Sequence, residues 1–218
     1  MNRWRQWLGR GPTHPTQTLA TERWVVVDVE TTGLDTQTDQ LLAIAALGLR
    51  VDWPQRQLTL VVHDSLNLYI RPDTPADKRN VLLHGIGIGQ QQQGLAPEEA
   101  MVLLDRWLGD SGTLAFHAGF DKAILSRYAK QHLGRPLHNR WLDIEHLCEI
   151  ASPTSRARNL DEWLAHFQLT CLSRHDAAAD ALVECDLLQR IWPVLAKDCY
   201  SWKDLEKRAR DRQWLARP

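Results

Sequence analysis

Apolar stretches separated by polar turns dominate the first third of this 218-residue chain. Three of them, at 24–30, 41–50 and 58–70, are rich in Val, Leu and Ile and are broken by TTGLDTQTDQ and DWPQRQ. This pattern predicts three early β-strands joined by turns. Two shorter strands are expected at 112–116 and 140–144.

The rest of the chain changes to a helical period. Apolar residues at three- and four-residue spacing predict helices over 96–108, 121–133, 160–167 and 176–196. Because these helices alternate with the two short strands, the order of elements predicts an α/β fold with a mixed central sheet flanked by helices. The Gly- and Gln-rich stretch 84–94 is predicted to be a loop, since its GxGxG does not follow a clear strand.

One large domain at 22–197 with a tail at each end is the predicted organisation. The N-terminal tail, 1–21, carries three arginines and no acid, with two tryptophans and a leucine at the spacing of one helix face. A contact with nucleic acid or a partner fits that pattern, and so does a short helix docked on the domain. The C-terminal tail, 198–218, mixes both charge signs and is predicted to be a mostly solvated helix.

Composition narrows the class of protein. The formal net charge is -1 and the pI is about 6.8, so the chain lacks a global basic field and any contact with nucleic acid must be local. We expect no membrane span, because no apolar run reaches about 18 residues. The four cysteines lie far apart without a CxxC pair, and no secretory signal stands out, so reduced thiols in a cytoplasmic protein are expected.

Two carboxylates interrupt the first apolar run, VVVDVE at 25–30. Alternate side chains of a strand face opposite sides, so Asp28 and Glu30 project from the same face. Both faces are apolar towards the start of the strand, which predicts burial. Ionised carboxylates in such a place cost roughly several kcal/mol each unless one is protonated or a cation lies between them. Taken alone, the pair leaves both explanations open.

Three short motifs, DVETTGLD, FHAGFD and HDAAAD, occur in this order along the chain. They resemble the three exonuclease motifs of the DnaQ-like family, and the resemblance covers about residues 24–192. The match is to the DEDDh type of 3′ to 5′ exonucleases, which includes polymerase proofreading subunits and ribonuclease T. It implies a ribonuclease H-like fold, two divalent metal ions and release of nucleoside monophosphates from the 3′ end of single-stranded DNA or RNA.

The resemblance assigns roles to five residues by their position in the motifs. Asp28 and Glu30 correspond to the acids of the first motif, Asp121 to that of the second, and Asp180 to that of the third. These four would bind the metals, and His175, five residues before Asp180, would be the catalytic histidine.

The spacing of the third motif constrains the local structure. On a continuous helix, His175 and Asp180 would lie about 140° apart and could not face one site. A helix that begins at Ala177 with Asp176 as its N-cap removes the conflict, because His175 then lies in the entering loop. Asp176 also stands where the related DEDDy type has tyrosine, which excludes that type. Asp121, taken alone, is predicted to be the N-cap of its own helix.

The ligand types predict the chemistry. Hard oxygen ligands suit Mg²⁺ or Mn²⁺ rather than zinc. Two such ions about 3.5 to 4 Å apart can stabilise the attacking and the leaving oxygen of a phosphodiester. We expect His175 to accept the proton of the attacking water, since an unperturbed imidazole pKa of about 6.5 suits this role at neutral pH. Without metal, repulsion among the carboxylates is expected to raise at least one of their pKa values.

The resemblance also implies contacts with the terminal nucleotide. The substrate-binding candidates lie in two segments and are Thr31, Thr32, Gly33, Leu34, His84 and Ile86. Two features depart from subgroups of the family. Phe116 and His117 stand where many proofreading subunits have His and Asn, which weakens the case for a polymerase-subunit role. Thr31 stands where oligoribonucleases typically carry Met, which disfavours that subgroup.

Two functions of different classes remain. The first is a metal-dependent 3′ to 5′ exonuclease, and the second is a nucleic-acid-binding or assembly module that has kept the fold and lost turnover. A silent module should have lost ligands, whereas all five catalytic candidates are present, which favours the enzyme. Arg156, Arg158 and Arg174 are either phosphate contacts or solvated charges. The sequence leaves open the preference for DNA or RNA, the pathway, and whether a protein partner or a homodimer is involved.

Overall fold

A computed structural model describes the backbone of residues 21–215 and the side chains as far as residue 212, so the prediction for the N-terminal tail lies almost wholly outside it. Five strands and eight helices occur in this part of the chain. In chain order they are β1 (Thr21–Thr31), β2 (Leu41–Asp52), β3 (Gln57–Tyr69), α1 (Lys78–His84), α2 (Ile88–Gln93), α3 (Pro97–Leu108), β4 (Gly112–Ala115), α4 (Gly119–Leu133), β5 (Trp141–Asp143), α5 (Ile144–Ala151), α6 (Leu160–Phe167), α7 (Ala177–Asp198) and α8 (Trp202–Leu215).

The strands form one mixed sheet in the order β3-β2-β1-β4-β5. The first three strands pair antiparallel, whereas β4 runs parallel to β1 and β5 runs parallel to β4. The central strand, β1, is covered on both faces, as its apolar pattern predicts. Trp24 and Val26 belong to the core on one face, and Val25, Val27 and Val29 belong to the core on the other. The prediction of an α/β fold with a mixed sheet is confirmed.

Helices form a layer on each side of the sheet. Apolar residues of α3 and α4 pack on one face, and those of α5, α6, α7 and α8 pack on the other. In the second layer, the ring of Trp24 meets those of Trp53, Trp192 and Trp202 edge-on at centroid distances of 5.0 to 5.7 Å. Edge-to-face contact is a favoured geometry for aromatic rings, so this cluster joins the start of β1 to α7 and α8.

The prediction of a loop over 84–94 is wrong, because α2 occupies most of this stretch. The buried side chain of Gln91 explains why a helix forms here. Its oxygen accepts the backbone N–H of Ala76 at 2.9 Å, and its nitrogen donates to the carbonyl of Ile86 at 2.9 Å. These hydrogen bonds join α2 to backbone groups outside the helix. They stabilise a short helix that local composition does not predict. The helices α1 and α5 were also not predicted.

The C-terminal helix is not mostly solvated, contrary to the sequence prediction. Trp202, Leu205 and Ala209 are all buried on the core side of α8. Gly112 of β4 makes room for the helix, because a Cβ at that position would overlap the Trp202 ring. The helix therefore packs on the domain.

The longest helix, α7, has 22 residues and crosses one face of the sheet. It carries Asp180 and Glu184 on its buried side. Between residues 21 and 215, no helix combines the length and the apolar character needed to cross a membrane. All four cysteines are free thiols, as expected from their spacing.

Candidate active site

The second half of β1 presents two acids to one side of the sheet. Asp28 lies opposite Ala45 of β2 and Glu30 lies opposite Ala43, so small neighbours leave space for both carboxylates. The strand pairing is irregular between Glu30 and Thr31, the last residue of β1. Glu30 is buried, and Asp28 is half-buried.

The start of α7 brings in the third acid. The Asp176 side chain accepts the backbone N–H of Ala179 at 2.9 Å and is the N-cap of the helix, as the sequence predicts. Asp180 lies in the first turn and is buried. His175 precedes the cap with φ 63° and an exposed side chain, and its backbone N–H donates to Asp180 at 2.9 Å. A left-handed residue other than glycine is uncommon and costs energy, so the surrounding contacts hold this loop in place.

Three carboxylates converge at this point. Oxygens of Asp28, Glu30 and Asp180 lie within 4.8 Å of one another. Asp121 is buried and lines the same cleft, although it is not one of these three. It is not the N-cap of α4 either, because that helix begins two residues earlier, with Ala118 at the cap position. Asp121 therefore faces the cleft from the first helical turn.

Burial and mutual repulsion change the acidity of the cluster. Burial raises the pKa of Asp28 well above its ordinary value, and the carboxylates of Glu184, Asp121, Glu30 and Asp180 raise it further. Burial raises the pKa of Asp121 to about 8, although backbone hydrogen bonds favour its ionised form. The pKa of Glu184 is also raised, first by burial and then by Asp121. Repulsion among the carboxylates contributes to the raised pKa values, as expected, but burial is the larger cause.

Two histidines lie beside the carboxylates. Nδ1 of His84, at the end of α1, contacts a carboxylate oxygen of Glu30. Its ring lies 6.3 Å from the ring of His175, measured between centroids, and the two rings are nearly perpendicular. His84 thus connects α1 to the end of β1, and both imidazoles line the cleft.

An arginine occupies one edge of the cluster. Arg174 donates through Nε to Asp161 at 2.6 Å, and another guanidinium nitrogen contacts Asp180. The thiol of Cys171 lies 3.4 Å from the same Asp180 oxygen. Asp180 is consequently held by donors on both of its oxygens. Arg156 and Arg158, the other cationic candidates, are exposed and do not line the cleft.

The sequence did not single out Glu184. Its side chain is 1% exposed, lines the cleft, and accepts the backbone N–H of Phe116 at 3.2 Å. Asp180 and Glu184 are four residues apart, which places them on one face of a helix. That spacing is the signal that could have identified it.

The cleft has a volume of about 500 Å³. Four of the six substrate-binding candidates line it, and two do not. Thr31, Gly33 and Leu34 line it together with His84, and Leu34 is 88% exposed at its rim. The other two candidates lie elsewhere. Thr32 binds the Asp39 carboxylate at 2.9 Å, and Ile86 is buried in the core.

A mixed five-stranded sheet with helices on both faces, and acids grouped where the central strand ends, defines a ribonuclease H-like α/β protein. The family model described as exonuclease, RNase_T, matches residues 25–188, and the chain belongs to this family. The match spans all three motifs and agrees with the DnaQ-like resemblance.

Relatives and solved structures agree with this assignment. The chain is 26% identical over 189 residues to the PolC-type DNA polymerase III of Bacillus subtilis and 25% identical over 180 residues to that of Thermotoga maritima. These matches cover 85% and 83% of this chain but only 12% of each relative. Exonuclease I of E. coli in complex with a dA16 oligonucleotide has a TM-score of 0.63 at 16% identity, covering 81% of this chain and 42% of that one. Exonuclease X in complex with 5′ overhanging duplex DNA has a TM-score of 0.64 at 17% identity, covering 85% and 99%.

Proposed function

We propose that this protein is a metal-dependent exonuclease that removes nucleoside monophosphates from the 3′ end of single-stranded nucleic acid. The observation that carries the proposal is the convergence of Asp28, Glu30 and Asp180, whose carboxylate oxygens lie within 4.8 Å of one another in an open cleft. Membership of the exonuclease family supports the reaction class.

The donor set fits a hard divalent cation. Its members are carboxylates, the ligands that Mg²⁺ and Mn²⁺ prefer. Burial, and then repulsion by neighbouring carboxylates, raises the pKa of Asp28, so a bound cation would relieve an unfavourable arrangement. We propose that Asp28, Glu30, Asp121 and Asp180 hold two such ions. When bound, the two cations would supply positive charge that stabilises the phosphate and the leaving oxygen.

The remaining cleft residues have complementary proposed roles. His175, whose exposed imidazole lies at the cleft, accepts the proton of the attacking water. Arg174 supplies a positive charge towards the scissile phosphate. Thr31 and Gly33 contact the terminal nucleotide, and Leu34 offers an exposed apolar surface for its base.

DNA is the first substrate to test. The relatives reported above are DNA polymerases, and the two solved structures contain a dA16 oligonucleotide and an overhanging DNA duplex. The chain carries almost no net charge, so substrate contacts are proposed to be local to the cleft. We therefore expect single-stranded DNA to be degraded faster than RNA of the same sequence.

The test is digestion of matched 5′-labelled DNA and RNA oligonucleotides with Mg²⁺, Mn²⁺ or EDTA. Wild type is compared with Asp28→Ala, which removes one carboxylate of the cluster, and with Asp186→Asn, which removes an exposed charge from α7. We expect cleavage with metal by wild type and Asp186→Asn, and none with EDTA or by Asp28→Ala. Residual activity of Asp28→Ala above about a tenth of wild type, about 1.4 kcal/mol in barrier, would refute its role. Binding of oligonucleotides by wild type without any cleavage would favour the silent module.

A further inference from the structure

Five carboxylates line the cleft in the part of the chain that the structure describes, and one of them lies outside the three motifs. Asp28, Glu30, Asp121 and Asp180 belong to the motifs, whereas Glu184 does not. It lies one turn after Asp180 on α7, and its side chain is 1% exposed. Since helix acids are almost never fully buried unless paired, its position calls for a physical reason.

The hydrogen bond of Glu184 explains only part of that burial. Its Oε2 accepts the backbone N–H of Phe116 at 3.2 Å, just after β4 and before α4, the helix that carries Asp121. One hydrogen bond from a neutral donor offsets a small part of the cost of burying an ionised carboxylate. A structural role in this turn alone would be met equally well by a neutral side chain such as glutamine.

The carboxylate of Glu184 lies in the same cleft as the four proposed metal ligands. Among the neighbouring carboxylates, Glu184 has the largest effect on Asp28, whose pKa it raises. Asp121 lines this cleft too, as does Asp180, which lies one turn earlier on the buried side of α7. The Glu184 carboxylate therefore lies among acids that carry the proposed ligand role, and a cation bound there would be attracted by its charge as well.

From these contacts we infer that Glu184 is a positioning residue of the cation site. Its negative charge increases the affinity of the cleft for a divalent cation, and its hydrogen bond to Phe116 fixes the turn that precedes Asp121. The inference rests on the proposed metal-dependent function and adds a fifth carboxylate to it.

The test compares Glu184→Gln with wild type by calorimetric titration with Mn²⁺ in the absence of nucleic acid. Glutamine keeps the size of the side chain and an oxygen that can accept the Phe116 N–H, so only the charge is lost. We expect Mn²⁺ to bind about tenfold or more weakly to Glu184→Gln, a loss typical of residues that support metal ligands. Asp186→Asn, the same change of charge on an exposed position of α7, should bind within about twofold of wild type.

Two further measurements complete the test. Glu184→Asp keeps the charge and should lose less Mn²⁺ affinity than Glu184→Gln. In EDTA, Glu184→Gln should melt at the same temperature as wild type or higher, because glutamine can keep the hydrogen bond to Phe116 without the cost of burying a carboxylate. A lower melting temperature, or failure to fold, would assign Glu184 to structural support and overturn the inference.

The outcomes separate this inference from the proposed function. If wild type binds Mn²⁺ and Glu184→Gln binds it equally well, only the role of Glu184 is overturned. If wild type neither binds Mn²⁺ nor cleaves oligonucleotides, the metal-dependent function fails, and the inference fails with it.

Discussion

Two carboxylates of the cleft, those of Asp180 and Glu30, are held by specific neighbours. Asp180 receives the backbone N–H of His175 and the guanidinium of Arg174, and Glu30 pairs with His84. These contacts fix the acids close together before any cation binds, which reduces the reorganisation that binding would require. The chemistry we propose depends on this arrangement. One substitution tests the role of His175, and another tests the raised pKa of Asp121.

His175→Ala should lower the single-turnover rate by about 10²- to 10⁴-fold, the usual range for a general acid or base. Mn²⁺ affinity should not change, because only the backbone N–H of His175 touches Asp180 and alanine keeps that N–H. The rate is measured at saturating metal and the affinity by calorimetry, with His63→Ala, an exposed position on β3, as the control. A loss of metal affinity would show that the imidazole acts as a ligand instead.

Asp121 predicts a pH dependence of stability in EDTA. Its pKa is about 8 in the folded protein and about 4 in an unfolded chain. Between these pH values the folded state therefore binds more protons than the unfolded state. The free energy of unfolding therefore falls as pH rises from about 5 to about 8. Asp121→Asn cannot titrate, and its melting temperature should fall less steeply than that of wild type or of the surface control Asp110→Asn. Parallel curves for all three proteins would contradict the raised pKa.

The local geometry of these residues was predictable where it depends on neighbours in sequence. Alternation along β1 places Asp28 beside Glu30, and the cap at Asp176 resolves the spacing of the third motif. Glu184 and Arg174 were not identified as parts of the acidic cluster, because their contacts depend on how α7 and the preceding loop pack against β4 and α6.

Helices and strands differ in how far their own sequences determine them. The strands β1, β2 and β3 follow from long apolar runs, and α7 follows from its cap and period. In contrast, α2 depends on hydrogen bonds of Gln91 to residues outside the helix. The burial of α8 depends on the space at Gly112, which no periodicity within α8 reveals.

The packing of α8 can be tested directly. Leu205 is fully buried, so Leu205→Ala should lower the free energy of unfolding by about 2 to 5 kcal/mol. Lys203→Ala, at an exposed position of the same helix, should change it by about 0.5 kcal/mol or less. Urea denaturation of the metal-free proteins measures both. Equal stability of the two variants would mean that α8 contributes little to the domain.

The architecture of the complete domain brings together residues from distant parts of the chain. The central position of β1 and the parallel pairing of β4 place the acids of the first motif beside the start of α7. The α/β class was predictable from the order of elements, whereas the strand order was not predicted, because pairing between distant strands leaves no local signal. The same architecture opens the cleft with the acids to solvent, so a nucleic-acid end could enter it.

The direction of degradation can be measured with two 5′-labelled DNA oligonucleotides of one sequence, incubated with protein and Mg²⁺. One has a free 3′ hydroxyl, and the other has a blocked 3′ end. We expect a ladder that shortens from the 3′ end of the free oligonucleotide, with nucleoside monophosphate as product, and no cleavage of the blocked one. Internal cleavage of the blocked oligonucleotide, or shortening from the 5′ end, would contradict this expectation.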